Sequence, residues 1–257
     1  MHSDRSPFYA PTYDLTKRKV VQYISFANDV DTADGHGTHV SGTVAGESLS
    51  ANTIANGHAS GAKIAFFDMS VDGNSISYPI PIDTYVFKPA FDAGARIHSN
   101  SWGSALNLYQ QNVLDIDAYL LEEDQFLALF AAGNEGGSGY YSIGSPAVSK
   151  NAMAIGASKS GSNTGSYFSG PIDQVAYFSS LGPTFDKRIK PDVVAPGSYI
   201  ESAAASGTTS TSCRTVSMQG TSMATPGRCT ILYYTVLYCI VLYCTVLYCK
   251  ALRRGAM

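Results

Sequence analysis

The sequence predicts an α/β domain built on a mostly parallel, doubly wound sheet with helices on both faces. Short β-branched and aromatic segments alternate with segments of helical periodicity through most of the chain, which is typical of parallel strands joined by crossover helices. The chain has 257 residues, enough for one sizeable domain with a buried core. Polar, Gly-rich segments follow several predicted strands, and in such sheets functional groups gather at the carboxyl ends of strands.

The predicted elements follow in a regular order. Residues 1–17 are polar and contain Pro, and are expected to be loop. Runs rich in Val, Ile, Phe and Ala predict strands at residues 20–26, 62–70, 96–101, 126–132, 152–157, 174–178 and 190–197. Apolar residues at helical spacing predict helices at residues 36–46, 82–93 (ending at Gly94) and 106–123.

The helix predicted to begin at His36 has one face made of unusually small side chains. Because each Gly costs about 1 kcal/mol relative to Ala in a helix, such a face is expected where a helix lies very close to a sheet. The sequence therefore predicts a defined position for His36 at the start of a closely packed helix. The small residues are Gly37, Ser41 and Ala45, with Gly42 and Gly46 beside them.

Two other interpretations of this segment stay open. His36 and His39 could be ordinary core or surface histidines. Alternatively, Asp34, His36 and His39 could bind a metal, although the sequence offers no second ligand cluster to complete such a site. We therefore expect no metal here.

A single Ser lies between small residues in the stretch 219–226, Gln-Gly-Thr-Ser-Met-Ala-Thr-Pro. Ala and Met favour helix, and Pro is tolerated only in a helix's first turn, so we expect a loop that turns into a helix at Ser222. This places a hydroxyl at the positive end of a helix dipole. Ser222 is either an ordinary N-cap or a nucleophile, and a nucleophile also needs a base and donors for an oxyanion.

Residues elsewhere in the chain can supply those partners. His36 can act as the base, and Asn134, in a Gly-rich turn after a predicted strand, can donate to an oxyanion beside the Ser222 N–H. With these residues the chain resembles the subtilisin-like serine peptidases, or subtilases, over residues 20–226. Four motifs in the family's order carry the resemblance: Gly35-His36-Gly37-Thr38-His39-Val40, Asn100-Ser101-Trp102-Gly103, Ala131-Ala132-Gly133-Asn134-Glu135-Gly136 and Gly220-Thr221-Ser222-Met223-Ala224-Thr225-Pro226.

The resemblance implies a three-layer fold of the subtilisin type, hydrolysis of peptide bonds and no cofactor. It assigns His36 as the general base, Ser222 as the nucleophile, Asn134 as the oxyanion donor and His39 to a structural role. It also suggests a secreted or extracytoplasmic location, although no signal peptide is visible at the N-terminus. A polypeptide substrate would pair as an added strand with Ser101, Trp102 and Gly103, and its side chain would enter a pocket lined by Ala132 and Gly133.

The chain departs from the family pattern at its start. Subtilases carry an Asp at the end of their first strand, in a pattern like Asp-Thr-Gly or Asp-Ser-Gly, roughly thirty or more residues before the His. Asp4 and Asp14 are in range, but neither follows an apolar strand, and Asp34 is too close to His36. We therefore expect the triad Asp and its strand upstream of Met1. Two functions follow: a serine endopeptidase, or a catalytically dead relic that still binds peptides.

A second departure follows Pro226, so residues 1–226 are predicted to form a partial peptidase domain and residues 227–257 a separate low-complexity tail. The tail repeats Thr-Val-Leu-Tyr-Cys, a period of five that matches neither helix nor strand. We favour the interpretation that the tail is a translated simple DNA repeat. The five-base unit ACTGT, read continuously, encodes Thr-Val-Leu-Tyr-Cys, because three copies make fifteen bases and restore the reading frame. Two other interpretations of the tail are a membrane anchor over residues 231–249, which are uncharged, and an aggregation-prone β segment.

Composition excludes few other functions. The formal net charge of −3 gives no reason to expect nucleic acid as a partner. Four of the five Cys lie in the tail, so the sequence predicts neither a disulfide framework nor a zinc site.

Overall fold

A computed structural model describes residues 5–26, 31, 34–48, 56–71, 75–161, 170–205 and 214–227. Within these ranges the strands are β1 (Ser6–Pro7), β2 (Val20–Ser25), β3 (Ile64–Asp68), β4 (Ile97–Asn100), β5 (Leu127–Ala131), β6 (Met153–Ser158), β7 (Val193–Pro196), β8 (Ile200–Ala203) and β9 (Thr215–Met218). The helices are α1 (His36–Ala45), α2 (Lys88–Asp92), α3 (Gln111–Glu122) and α4 (residues 221–227). A π-helical turn (Asp83–Phe87) leads into α2, and a 3-10 turn (Gly136–Ser138) follows β5.

The strands form two parallel sheets and one antiparallel pair. The first sheet has the order β1-β2-β3, the second β4-β5-β6-β7, and β8 pairs with β9. All pairs in the first two sheets are parallel, which confirms the predicted α/β fold. In the described part of the chain, β3 and β4 each stand at the edge of their own sheet.

The core is one continuous apolar cluster that both parallel sheets and the helices share. Strand β5 is buried from Ala128 to Ala131, as expected for an interior strand covered on both faces. The largest fully buried side chains include Phe67, Phe87, Phe130, Ile97 and Ile155. The sheet ends that surround the candidate site are therefore held by a well-packed interior.

Helix α1 packs closely on β8, as its small face predicts. A Cβ on Gly42 would lie 2.5 Å from Ser202 Oγ and 2.8 Å from Ala203 Cβ. The Ser202 hydroxyl also donates to the backbone carbonyl of His39 at 2.8 Å. The expected close approach to a sheet is confirmed, but the partner is the β8-β9 pair, which the sequence did not predict.

The substitution Gly42→Ala is expected to lower the free energy of unfolding by about 1–3 kcal/mol, because a methyl group there overlaps Ser202 and Ala203 and forces α1 away from β8. Urea unfolding measures the change. Gly61→Ala serves as the control, since a Cβ at Gly61 meets no atom within 4 Å. Equal urea midpoints for the two variants would contradict the close packing.

The predicted helix over residues 106–123 begins later than expected, at Gln111. The reason is a tertiary contact made by Asn107. Its Nδ2 donates to the carbonyls of Tyr141 and Pro183, both at 3.0 Å, and its Oδ1 accepts from the N–H of Phe185 at 2.8 Å. These bonds hold residues 106–110 in an extended loop despite their helical periodicity.

Three further predictions need correction. Residues 174–178 form turns with one isolated bridge between Ser158 and Val175, because local hydrogen bonds to Pro171 and Ala176 close the chain on itself. The helix predicted over 82–93 contains the π-helical turn directly before Pro89, a residue that has no N–H to donate. The segment expected to be loop at the start contains β1, which pairs with β2.

Most of the predicted tail, including the candidate span 231–249, lies outside the described residues. Among the residues that are described, no helix combines the length and the apolar character needed to cross a membrane. The domain boundary after Pro226 therefore stays a prediction.

Candidate active site

Two carboxylates fix the start of α1 and thereby the position of His36. Asp31 accepts hydrogen bonds from the backbone N–H groups of Gly37 at 3.2 Å and Thr38 at 3.1 Å, and from the Thr38 hydroxyl. Asp34 accepts from the backbone N–H of His36 at 3.2 Å. Because the first N–H groups of a helix have no partner within the helix, these contacts cap α1 and complement its dipole.

Burial sets the protonation state of His36. It lowers the pKa of the imidazole below its ordinary value of 6.5, and the negative charges of Asp34 and Asp31 oppose this shift in part. A histidine with a lowered pKa is neutral at neutral pH. His36 is therefore in the form that can accept a proton.

Ser222 is the second residue of α4 and contacts the end of β4. Its hydroxyl donates to the Ser101 carbonyl at 3.2 Å, and the Ser101 hydroxyl donates to the Ser222 carbonyl at 2.7 Å. A hydroxyl has one proton, so the Ser222 hydroxyl can donate to another group only if its side chain rotates away from the Ser101 carbonyl.

The side chain of Asn134 is held by the residue that precedes Ser222. Its Oδ1 accepts from the N–H of Thr221 at 2.9 Å and from the Thr221 hydroxyl at 3.0 Å. The N–H of Gly133 donates in turn to the Thr221 hydroxyl at 3.2 Å. Because the amide oxygen is engaged, the amide nitrogen is the end of Asn134 that is available to a ligand.

The segment after β4 is held by hydrogen bonds and by ring packing. The indole N–H of Trp102 donates to Asn100 Oδ1 at 3.0 Å, and the ring packs against Tyr78. The backbone N–H of Ser104 donates to the Ser145 carbonyl at 2.8 Å. Gly103 between them is exposed, so its backbone is accessible to an extended chain.

These residues meet in one cavity of about 620 Å³ at the carboxyl ends of β3, β4 and β5. Ala132 is the one predicted site residue that does not line it. It is fully buried, with its N–H donating to the Ile155 carbonyl, while its neighbours Ala131 and Gly133 reach the cavity. The predicted residues that do line the cavity are His36, Ser101, Trp102, Gly103, Gly133, Asn134 and Ser222.

His39 lies outside this cavity and ties α1 to the antiparallel pair. Its side chain is fully buried, and Nε2 lies 2.9 Å from the carbonyl of Ile200 and 3.1 Å from that of Val216. The described residues contain no group of three or more His, Cys, Asp or Glu that could hold a metal ion. The contacts of His39 therefore join α1 to the β8-β9 pair.

Several residues of the cavity were missed by sequence reasoning. Asp68 is buried at the end of β3 and accepts from the Tyr23 hydroxyl at 2.5 Å, and burial raises its pKa. Asp31 lies shortly before the first quoted motif, and its contact with Thr38 spans a turn. Thr221 lies within the last motif, but its partner Asn134 is 87 residues away in the sequence. The position of Asp68 at the carboxyl end of a buried strand was the available signal.

Comparisons with a family model, with known proteins and with solved structures agree. Residues 2–232 match the model of the subtilase family, described as Peptidase_S8. The serine protease/ABC transporter B family protein tagD of Dictyostelium discoideum is 33% identical over 86% of this chain, which spans only 17% of that protein. The structure of sphericase superposes with a TM-score of 0.58 at 27% identity, covering 80% of this chain and 64% of sphericase. The PatG macrocyclase in complex with peptide shares the fold, with a TM-score of 0.53 at 22% identity, over 76% of this chain and 50% of that one.

Proposed function

The chain belongs to the subtilase family of serine peptidases, and on that premise we propose that it acts as an endopeptidase through Ser222, His36 and Asn134. The observation that supports these roles is their convergence in one cavity from α4, α1 and the loop after β5. His36 and Ser222 lie 186 positions apart in the sequence (222 − 36). Because the three side chains line one cavity, a single substrate bound there could contact all of them.

The proposed reaction is acyl transfer. Ser222 Oγ attacks the carbonyl carbon of the scissile bond while its proton passes to His36. The resulting oxyanion accepts hydrogen bonds from the Asn134 amide and from the N–H of Ser222 at the start of α4. His36 then protonates the leaving amine, and a water molecule activated by His36 hydrolyses the acyl-enzyme.

The proposed substrate is a polypeptide bound as an extended strand. The accessible backbone at Gly103 and the fixed positions of Ser101 and Trp102 support pairing of this kind, in which main-chain hydrogen bonds give affinity. Gly133 and Ala131 line the adjoining part of the cavity, where a substrate side chain would enter.

We further propose that the triad Asp comes from a strand outside this sequence. The edge strands β3 and β4 support this, because the carboxyl ends of both line the cavity while the two strands belong to separate sheets. An added parallel strand between them would place its own carboxyl end beside His36. Asp31 and Asp34 are poorer candidates, since their carboxylates cap the start of α1. Without such an Asp, the chain is a peptide-binding relic.

The test uses a longer form of the protein whose transcript supplies the upstream strand. A fluorophosphonate probe is expected to label Ser222, and Ser222→Ala is expected to abolish both labelling and peptide hydrolysis. Ser138→Ala, at an exposed position, is the matched control and should retain both. Hydrolysis that survives Ser222→Ala would overturn the proposed function.

The pKa of His36 can be tested in the 257-residue chain itself. Nuclear magnetic resonance titration of the imidazole is expected to give a pKa below 6.5, because burial disfavours the charged form. Asp34→Asn is expected to lower it further, since the charge of Asp34 favours imidazolium, so a larger fraction of His36 stays neutral as the pH falls. The control Asp124→Asn, at an exposed position, should leave it unchanged. A pKa above 6.5 would contradict the assignment.

A further inference from the structure

The loop that carries Asn134 lies against residues 178–182, a segment between β6 and β7. The N–H of Gly136 donates to the Phe178 carbonyl at 2.8 Å. A Cβ on Gly136 would lie between 2.4 and 2.8 Å from backbone atoms of residues 177–179, so the two backbones are in direct contact. The backbone around Asn134 is therefore shaped by a distant part of the chain.

Within this segment, Ser180 bonds to the residues on both sides of Asn134. Its backbone N–H donates to the Gly133 carbonyl at 3.0 Å. Its hydroxyl accepts from the N–H of Glu135, 45 residues away in the sequence, also at 3.0 Å. Ser180 is fully buried, so water competes little for these bonds.

These two bonds fix the backbone conformation of Asn134. The Gly133 carbonyl belongs to the peptide unit before the Asn134 Cα, and the Glu135 N–H belongs to the peptide unit after it. Each peptide unit is planar, so holding both units sets the φ and ψ of Asn134 and the direction of its Cα–Cβ bond. The side-chain oxygen is held separately, by Thr221.

The contact with Ser180 also leaves no room for a side chain at residue 133. A Cβ on Gly133 would lie 2.8 Å from the Ser180 Oγ, and the φ of Gly133 is +109°, a conformation that residues with a Cβ rarely adopt. The glycine therefore permits the close approach of the Ser180 hydroxyl to the loop that carries Asn134.

We propose that Ser180 is a positioning residue for Asn134, and that it aims the side-chain amide at the oxyanion by holding the backbone on both sides. The proposal rests on the proposed function, because it assumes that Asn134 donates to an oxyanion. Ser180 is not among the described residues that line the cavity, so it acts through Asn134 and not on the substrate. Donors stabilise a developing charge only if their geometry is fixed in advance, so a looser loop is expected to slow the chemical step.

The main test is Ser180→Ala in the longer form of the protein. The substitution removes the acceptor of the Glu135 N–H and keeps the backbone bond to Gly133. The kcat for a fluorogenic peptide is expected to fall about five- to tenfold, with KM nearly unchanged, because the Asn134 amide binds charge that develops only in the transition state. In the background of Asn134→Ala, the same substitution should lower kcat by less than about twofold, since both residues act through one donor.

Ser179→Ala is the matched control. Ser179 is also buried, and its hydroxyl also accepts from one backbone N–H, that of Ala157 in β6, at 3.0 Å. Both variants are expected to lower the urea midpoint, but only Ser180→Ala should lower kcat. Equal losses of kcat from the two variants, or a loss that persists in full without the Asn134 amide, would overturn the positioning role.

Nuclear magnetic resonance of the 257-residue chain gives a readout that needs no activity. Ser180→Ala is expected to shift the side-chain amide resonances of Asn134 and to speed exchange of the Glu135 N–H with solvent, whereas Ser179→Ala should leave both unchanged. Unchanged Asn134 resonances in Ser180→Ala would overturn the proposal whatever the activity.

A second variant and the wild-type activity complete the test. Should Ser180→Ala not fold, Ser180→Cys keeps a side chain of similar shape with a weaker acceptor and is expected to produce the same shifts, with a smaller loss of kcat. No shift and no loss in Ser180→Cys would then overturn the proposal. A longer form without Ser222-dependent hydrolysis would count against the proposed function, while the expected resonance shifts would still support the hold of Ser180 on Asn134.

Discussion

A strand that ends in Asp-Thr-Gly or Asp-Ser-Gly, placed ahead of this chain, is expected to raise peptide hydrolysis about 10⁴-fold. The magnitude is the loss seen when the triad Asp is removed from serine proteases, subtilisin among them. The Asp holds the imidazole in the tautomer that can accept the Ser222 proton and stabilises the imidazolium that forms. The 257-residue chain alone is expected to show little or no hydrolysis, and steady-state kinetics on a fluorogenic peptide compares the two proteins.

The control for this gain is the same added strand with Asn in place of Asp. It restores any contribution that the strand makes to folding but not the negative charge, so it should hydrolyse little faster than the chain alone. Ser222-dependent hydrolysis by the chain alone at the rate of the extended protein would show that a carboxylate already present serves His36. Equal gains from Asp and Asn would show that the strand acts only by stabilising the fold.

The split sheet explains why one missing strand would affect both chemistry and stability. β3 and β4 are edge strands with a row of backbone groups that a parallel partner could pair. A strand between them would join the two sheets and bury more of the shared core. The urea midpoint of both extended proteins is therefore expected to exceed that of the chain alone.

Much of the fold was predictable because its signals are local. Buried parallel strands such as β5 are short, nearly continuous apolar runs, and the small face of α1 is visible in five residues of its sequence. The candidate nucleophile and base were also predictable, since each lies in a Gly-containing motif next to the start of a helix. The family resemblance added their order along the chain.

The remaining features depend on contacts between distant residues. Asn107 prevents a helix from starting at Leu106 only because it bonds to residues near 141 and 185. The β8-β9 pair has strands of four residues each, too short for a clear pattern, and it is held partly by His39. The cavity is likewise lined by residues from separate segments, among them His36, Asn134 and Ser222. No local window of the sequence contains these relations.

The substitution Asn134→Ala is expected to reduce kcat about a hundred- to a thousandfold in the extended protein, with KM nearly unchanged. This is the range known for loss of the corresponding donor in subtilisin. KM should stay nearly unchanged because the Asn134 amide binds negative charge that develops only in the transition state. A large rise in KM at constant kcat would instead assign Asn134 to ground-state binding of the substrate.

Substitutions at Thr221 test the same oxyanion donor with a smaller expected effect, because Thr221 positions Asn134 and is not itself proposed to contact the substrate carbonyl. Thr221→Val removes the hydroxyl that donates to Asn134 Oδ1 but leaves the backbone N–H bond, so a loss of about 1 kcal/mol, roughly fivefold in kcat, is expected. Thr221→Ser keeps the hydroxyl and should restore most of the rate. In the background of Asn134→Ala, Thr221→Val should cost almost nothing more, since residues that act through one group are not additive. Additive losses would show that Thr221 acts on the fold and not through the oxyanion donor.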